Sequence, residues 1–191
     1  MTMNDKKVIA ATDYWIRSLV VHYGLCPFAA KVMEFEQLHF ELSEADNSDD
    51  LIKDFLVLAQ RLLDMGRQEM ETALLIHPYV LTDFSDYNNF LSVIDAVLEE
   101  ASLSGVLQVA SFHPDYLFAG AAEDDAGNFS NRSPFPMLHL LREESISEAI
   151  EQWQDRELDI SAVPNNNIIL LESIGTDELR KQLDNCLNPS L

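Results

Sequence analysis

Apolar residues recur at Val8, Trp15, Ile16, Leu19, Val20 and Tyr23. This three-to-four spacing predicts a helix from Lys6 to Tyr23, capped by Asn4 or Asp5 and closed by Gly24. Pro27 suits the first position of a short second helix reaching about Met33. EQLHFEL, residues 36–42, alternates and predicts a strand. Beyond the polar stretch SEADNSDD, Leu51, Ile52, Phe55, Leu58, Ala59, Leu62 and Met65 mark the apolar face of a helix over 49–66, closed by Gly66. TALLIHP, residues 72–78, is a short apolar run stopped by a proline, the pattern of a buried strand. Tyr87, Phe90, Leu91, Ile94, Val97, Leu98 and Ala101 predict the next helix, over 85–102. VLQVASFHPDY, after Gly105, then reads as another buried strand.

Strand, helix, strand, helix, strand predicts two consecutive βαβ units. The expected fold is therefore α/β or α+β, with a small three-stranded, at least partly parallel central sheet surrounded by helices. Periodicity alone leaves room for an antiparallel member. A loop rich in Gly, Asp and Asn, from Ala119 to Asn131, leads into SPFPMLHLLREE, whose prolines suit a helix starting near Pro136 and running to about 144. Ser145 and Glu148 match a capping box and predict a further helix start. The C-terminal third predicts helices from near Pro164 and Thr176, with a strand at 167–171 as the competing reading. At 191 residues, without internal repeats, the chain is expected to form a single globular domain.

Charge narrows the partners. The chain carries 33 acidic against 12 basic residues, a formal net charge of −21, which disfavours phosphate backbones and anionic membrane surfaces. No nucleic-acid or membrane partner is expected. The chain lacks an apolar run of about 18 residues and the apolar core of a signal peptide, so a cytoplasmic location is expected. Cys26 and Cys186 are far apart and show no CxxC spacing, which argues against a disulfide scaffold. Neither cofactor nor oligomeric state is set by the pattern.

Candidate chemistry gathers around residues 113–143. His77 and His113 each precede a proline at the predicted carboxyl end of a strand, where open α/β sheets form ligand crevices. An isolated His-Pro pair also simply ends a strand, and His113 is the stronger candidate because a polar segment rich in possible ligand-binding groups, 115–143, comes directly after it. Between Arg67 and Arg132 the sequence holds no lysine or arginine and eleven carboxylates. Arg132, with Asn131 and Ser133 beside a helix start, is the pattern that grips a phosphate or carboxylate. A helix from Pro136 puts His139, Arg142 and Glu143 on one face. The competing account has Arg132 bridging Glu123, Asp124 or Asp125, and Arg142 pairing internally. Cys26, at the expected cap of the second helix, is a candidate nucleophile of lowered pKa, with His22, His113 or His139 as possible partners, or else a buried structural cysteine. Metal binding requires ligands gathered from separate elements, since no HExxH or CxxC spacing is present, and no metal is expected. No P-loop, GxGxxG or GxSxG motif is present either.

GLCPFA at 24–29, QVASFHPDYLFAG at 108–120 and NRSPFPMLHLLREES at 131–145 resemble a family of uncharacterised bacterial proteins, domain of unknown function number 1415. The resemblance covers nearly the whole chain and carries over no activity, cofactor or partner. It draws attention to Gly24, Cys26, Pro27, His113, Pro114, Tyr116, Asn131, Arg132, Ser133, Pro134, His139, Arg142 and Glu143, and leaves His77 outside its motifs.

The residues support three functional readings. The first is an enzyme acting on a small anionic metabolite, held by Asn131, Arg132, Ser133, Arg142 and Tyr116, with His113 or His139 as general acid/base and Cys26 as nucleophile. The second is a non-catalytic module binding a ligand or protein partner. The third is a structural role in which the arginines make only internal contacts.

Overall fold

The computed structural model describes residues 3–154 and 159–187. The first helix divides: α1 (Met3–Trp15) passes into a π-helical segment (Ile16–Val21) before Gly24, at φ +66, turns the chain. Asn4 and Asp5 lie inside α1, so neither caps it. α2 (Ala29–Glu34) starts two residues beyond Pro27, later than expected. β1 (Leu38–Leu42) comes next. α3 (Ser48–Asp64) begins where Asn47 accepts the Asp50 N–H at 3.0 Å. β2 (Thr72–Ile76) is buried throughout. Asp83 caps α4 (Phe84–Glu100) by accepting the N–H groups of Ser85 and Asp86. β3 (Leu107–Phe112) leads through a loop containing a 3-10 helix (Ala126–Ser130) into β4 (Met137–Arg142). α5 (Glu143–Gln154), α6 (Val163–Ile174) and α7 (Thr176–Leu187) complete the described chain.

Among the described residues the strands form one four-stranded sheet in the order β1-β2-β4-β3. β1 and β2 are parallel, as their helical crossover requires. β4 runs antiparallel to both neighbours and separates β2 from β3. This corrects the expected fold twice. The sheet has a fourth strand, and the second expected βαβ unit is interrupted by it.

That strand occupies the segment expected to be a helix from Pro136. A central strand buried on both faces reads as a continuous apolar run, and MLHLL cannot be told from a buried helix by period. As a strand it alternates: Leu138 and Leu140 join the core beneath α3 and α4, while Met137 joins the core beneath α1, α6 and α7. His139 and Arg142 therefore project from opposite faces, not one. α5 starts at Glu143, ahead of the expected capping box, and Ser145 Oγ is buried without a hydrogen-bond partner.

Helices cover both faces of the sheet. Leu51, Phe55, Leu58, Ala59 and Leu62 of α3 and Tyr87, Phe90, Ile94 and Leu98 of α4 pack on Ala73, Leu75, Leu138 and Leu140. Val8, Trp15, Ile16, Leu19 and Val20 pack on the other face with Leu171 and Leu179, against Leu74, Ile76 and Met137. Each fully buried Leu, Ile or Phe contributes about 1.5–3 kcal/mol relative to exposure. The helices at 163–174 and 176–187 agree with the sequence reading and rule out its rival, a strand at 167–171.

Candidate functional site

β1, β2 and β3 all point one way, so the carboxyl ends of β2 and β3 lie at the same edge of the sheet. His77 and His113 follow those ends immediately, and both are 0% exposed. Strand alternation carries both rings to the face covered by α4, where Tyr87 receives them: its ring centroid is 5.8 Å from His77 and 5.1 Å from His113. Phe84 lies 5.4 Å from His113 and 5.2 Å from Tyr116.

The hydrogen bonds fix each histidine's tautomer. Nδ1 of His77 lies 3.0 Å from the carbonyl of Val80, which can only accept, so Nδ1 carries the proton. Nε2 of neutral His77 is then a bare acceptor, and it is buried without a partner. His113 is the reverse: its Nδ1 accepts the Asp115 N–H at 3.0 Å and its Nε2 donates to Leu81 O at 3.2 Å. Burial pushes His77 down to about 4. Burial also lowers His113, against the Leu81 carbonyl and the charges of Asp115 and Asp83.

The two rings thus hold consecutive carbonyls, Val80 and Leu81, of the loop between β2 and α4. Leu81 sits at φ +55, a left-handed conformation that costs a non-glycine residue about 1 kcal/mol or more. Tyr87 closes the floor beneath. Its hydroxyl donates to Met137 O at 2.8 Å and accepts the Phe112 N–H at 3.0 Å, bridging the ends of β4 and β3. Burial raises its pKa.

The loop from 113 to 135 is organised from within. Arg132, 8% exposed, donates through Nε to Tyr116 O at 3.2 Å and through Nη2 to Glu123 O at 2.8 Å, with its guanidinium 4.8 Å over the Phe129 ring. It meets backbone carbonyls where the sequence suggested the carboxylates of Glu123, Asp124 or Asp125. Asn131 donates to Ser111 O, and Ser133 to Phe135 O. Buried Asn128 accepts the Phe118 N–H and donates to Ala122 O. Asn128 and Tyr87 are polar anchors that the sequence reading misses. The signal available is that a buried amide or phenol must find partners.

Arg142 is elsewhere. Its Nη2 points at the carbonyls of Leu62, Met65 and Met70, the last at 3.2 Å, around the C-terminus of α3. A guanidinium there satisfies orphan carbonyls and complements the helix dipole. His139 lies on the opposite sheet face from His113, beside Phe112. Thr72 gives its one hydroxyl proton to Leu140 O, so the 2.8 Å contact with His139 Nε2 has the histidine donating. Burial lowers His139 to about 4.

Cys26 packs with the core on the α1 face, across the sheet from His77 and His113. Among the described residues no hydrogen bond joins it to His22, His113 or His139. Burial raises its thiol pKa, and N–H groups of Phe28 and Ala29 only partly oppose this. The expected lowering at a helix cap is overturned: α2 is short and starts three residues on, and burial outweighs the amides. Cys186 is buried and likewise raised by burial.

The sequence-derived candidates therefore divide. His113, Tyr116, Asn131, Arg132 and Ser133 belong to one edge with His77; His139 and Cys26 lie on the other face, and Arg142 caps α3. Among the described residues no three or more His, Cys, Asp or Glu side chains are grouped to hold a metal ion. No described helix is long and apolar enough to cross a membrane. Neither the curated proteins nor the solved structures gave a match to this chain. A family model does match, over residues 7–181, and the chain belongs to that family, described as a protein of unknown function (DUF1415).

Proposed function

We propose that the protein acts on a small ligand at the sheet edge formed by β2 and β3, with His77 Nε2 receiving a proton or hydrogen bond from that ligand. One observation carries this reading: a fully buried imidazole lone pair, held in a single tautomer by Val80 O, with no internal partner. Such a group is neutral through the physiological range and is a ready acceptor. The loop 78–83 holds that tautomer from the Nδ1 side, so the ligand meets Nε2 with the Val80 bond in place. Asp83 and Asp115 bias the edge toward neutral or cationic ligands bearing N–H or O–H groups. Arg132 and Arg142 serve as framework in this proposal, which sets it apart from an anion pocket built on them.

The test is a fragment panel of primary amines, amides and hydroxy compounds, read on the histidine side-chain resonances of 15N-labelled protein. A binding fragment should move the His77 Nε2 signal and leave His139 in place, and His77→Gln should abolish the response while keeping the fold. Fragments that bind wild type and His77→Gln equally would sink the proposal. Binding without proton transfer remains distinguishable, because a catalytic base gives a pH-dependent turnover and a binding module gives none.

A further inference from the structure

A cleft of about 310 Å³ lies between the π-helical segment and α7, remote in sequence from the histidine edge. Its walls include Arg17 and His22 on one side and Gln182 and Asn185 on the other. We infer that this cleft binds a small aromatic carboxylate, with Arg17 holding the anion and the flanking rings holding the body.

The π-helix is what builds the wall. His22 N–H bonds Arg17 O, five residues back, at 3.2 Å, and Leu25 N–H bonds Val20 O in the same way at 2.9 Å. In an α-helix, residues five apart point about 140° away from each other. The wider turn brings Arg17 and His22 to one side, so a cation and an aromatic ring face the same space. Inserted π turns occur frequently at functional sites.

The cation is local, paired with Asp13 along one edge only. Both contacts from Arg17 to Asp13 use Nε, at 2.9 and 3.1 Å, and the Nη edge takes no part in that pair. Tyr14 is 44% exposed beside it. His22 and Tyr23 meet edge to face at 4.8 Å, and Tyr23 donates its hydroxyl to Gln182 Oε1 at 3.1 Å, pinning the far wall. Aromatic rings with one forked cation match a flat ring bearing a carboxylate. Asp13 and Glu36 both act on Arg17, and Glu178 holds Gln182. Asp13 already balances the Arg17 charge, so a ligand carboxylate is held by the Nη fork and not by net charge, and a multiply charged phosphate is disfavoured further.

The experiment is an amide NMR titration of the full chain with benzoate, with inorganic phosphate and cyclohexanecarboxylate in parallel. Benzoate should shift residues 14–23 and 182–185 saturably, cyclohexanecarboxylate more weakly, and phosphate not at all. Arg17→Gln, an exposed change, should weaken benzoate at least tenfold while the rest of the spectrum is unchanged. Shifts that never saturate, equal binding by phosphate, or unaltered binding in Arg17→Gln would each overturn the inference. His77→Gln should leave benzoate binding intact, so this site and the histidine edge fail or stand separately.

Discussion

His77 and His113 hold adjacent carbonyls of one loop from opposite tautomers, the first through Nδ1 to Val80 and the second through Nε2 to Leu81. Each bond requires a proton on a defined ring nitrogen, and only His77 is left with a vacant acceptor in a buried setting. The difference in tautomer, more than the presence of two histidines, distinguishes their chemistry.

Acid should weaken the fold through His77. Its folded pKa is about 4, below the unfolded value of about 6.5, so between these limits the unfolded chain binds the extra proton. Stability is complete above that window and falls as pH drops through it, by about 1.4 kcal/mol per pH unit for this fully buried ring. Urea unfolding at about pH 7.5, 6 and 5 should show the decline, with a shallower slope in His77→Gln. An identical slope in the variant would assign the loss to other groups.

Arg132→Ala should lower stability by about 1–3 kcal/mol, because the carbonyls of Tyr116 and Glu123 lose their donor. Limited proteolysis should then cut within 116–125. Arg132→Lys should recover little, since an ammonium lacks the fork that spans two carbonyls. Inorganic phosphate should leave the melting temperature of wild type unchanged, as expected of an arginine that is framework alone.

Arg142→Ala should cost about 1–2 kcal/mol by uncapping α3. Hydrogen exchange checks the mechanism: amides in the last turn of α3 and in residues 65–70 should accelerate beyond the global change. Uniform acceleration across the chain would argue that β4, and not the cap, has been disturbed.

Cys26 should react with iodoacetamide about tenfold more slowly than glutathione at about pH 8, since burial raises its pKa and shields the sulfur. Peptide mass spectrometry of a timed quench gives the rate. Labelling as fast as glutathione would mean a thiolate that the packing does not account for.

Tyr87→Phe should cost about 1–3 kcal/mol, leaving Phe112 N–H and Met137 O without their shared partner. Amide exchange at Phe112 reads the loss directly.

Amphipathic helices such as α3 and α4 are legible in the sequence because each has one wet face, which stamps a period on the chain. β4 is not, because both its faces are dry and the period vanishes. The consequence spreads: a helix at Pro136 joins His139 to Arg142, whereas a strand sends one toward Thr72 and the other to the end of α3. His113 and Arg132 stand out correctly as polar centres of the signature segment, but their partners are mostly backbone carbonyls, which no sequence pattern names. His77 carries less weight in the sequence because it stands outside the motifs, and only its packing against Tyr87 reveals the vacant nitrogen.

The middle of the sheet is made last. In the finished sheet β2 and β3 are held one strand apart, and the segment between them, synthesised after both, pairs across as many as 67 residues, as at Ala73 and Leu140. Until residue 142 has left the ribosome, the edges of β2 and β3 that β4 covers lack that partner, each a template for a foreign strand. The nascent chain is therefore most prone to aggregate just before β4 arrives, and a synthetic peptide carrying residues 134–144 should slow the aggregation of a fragment ending after β3.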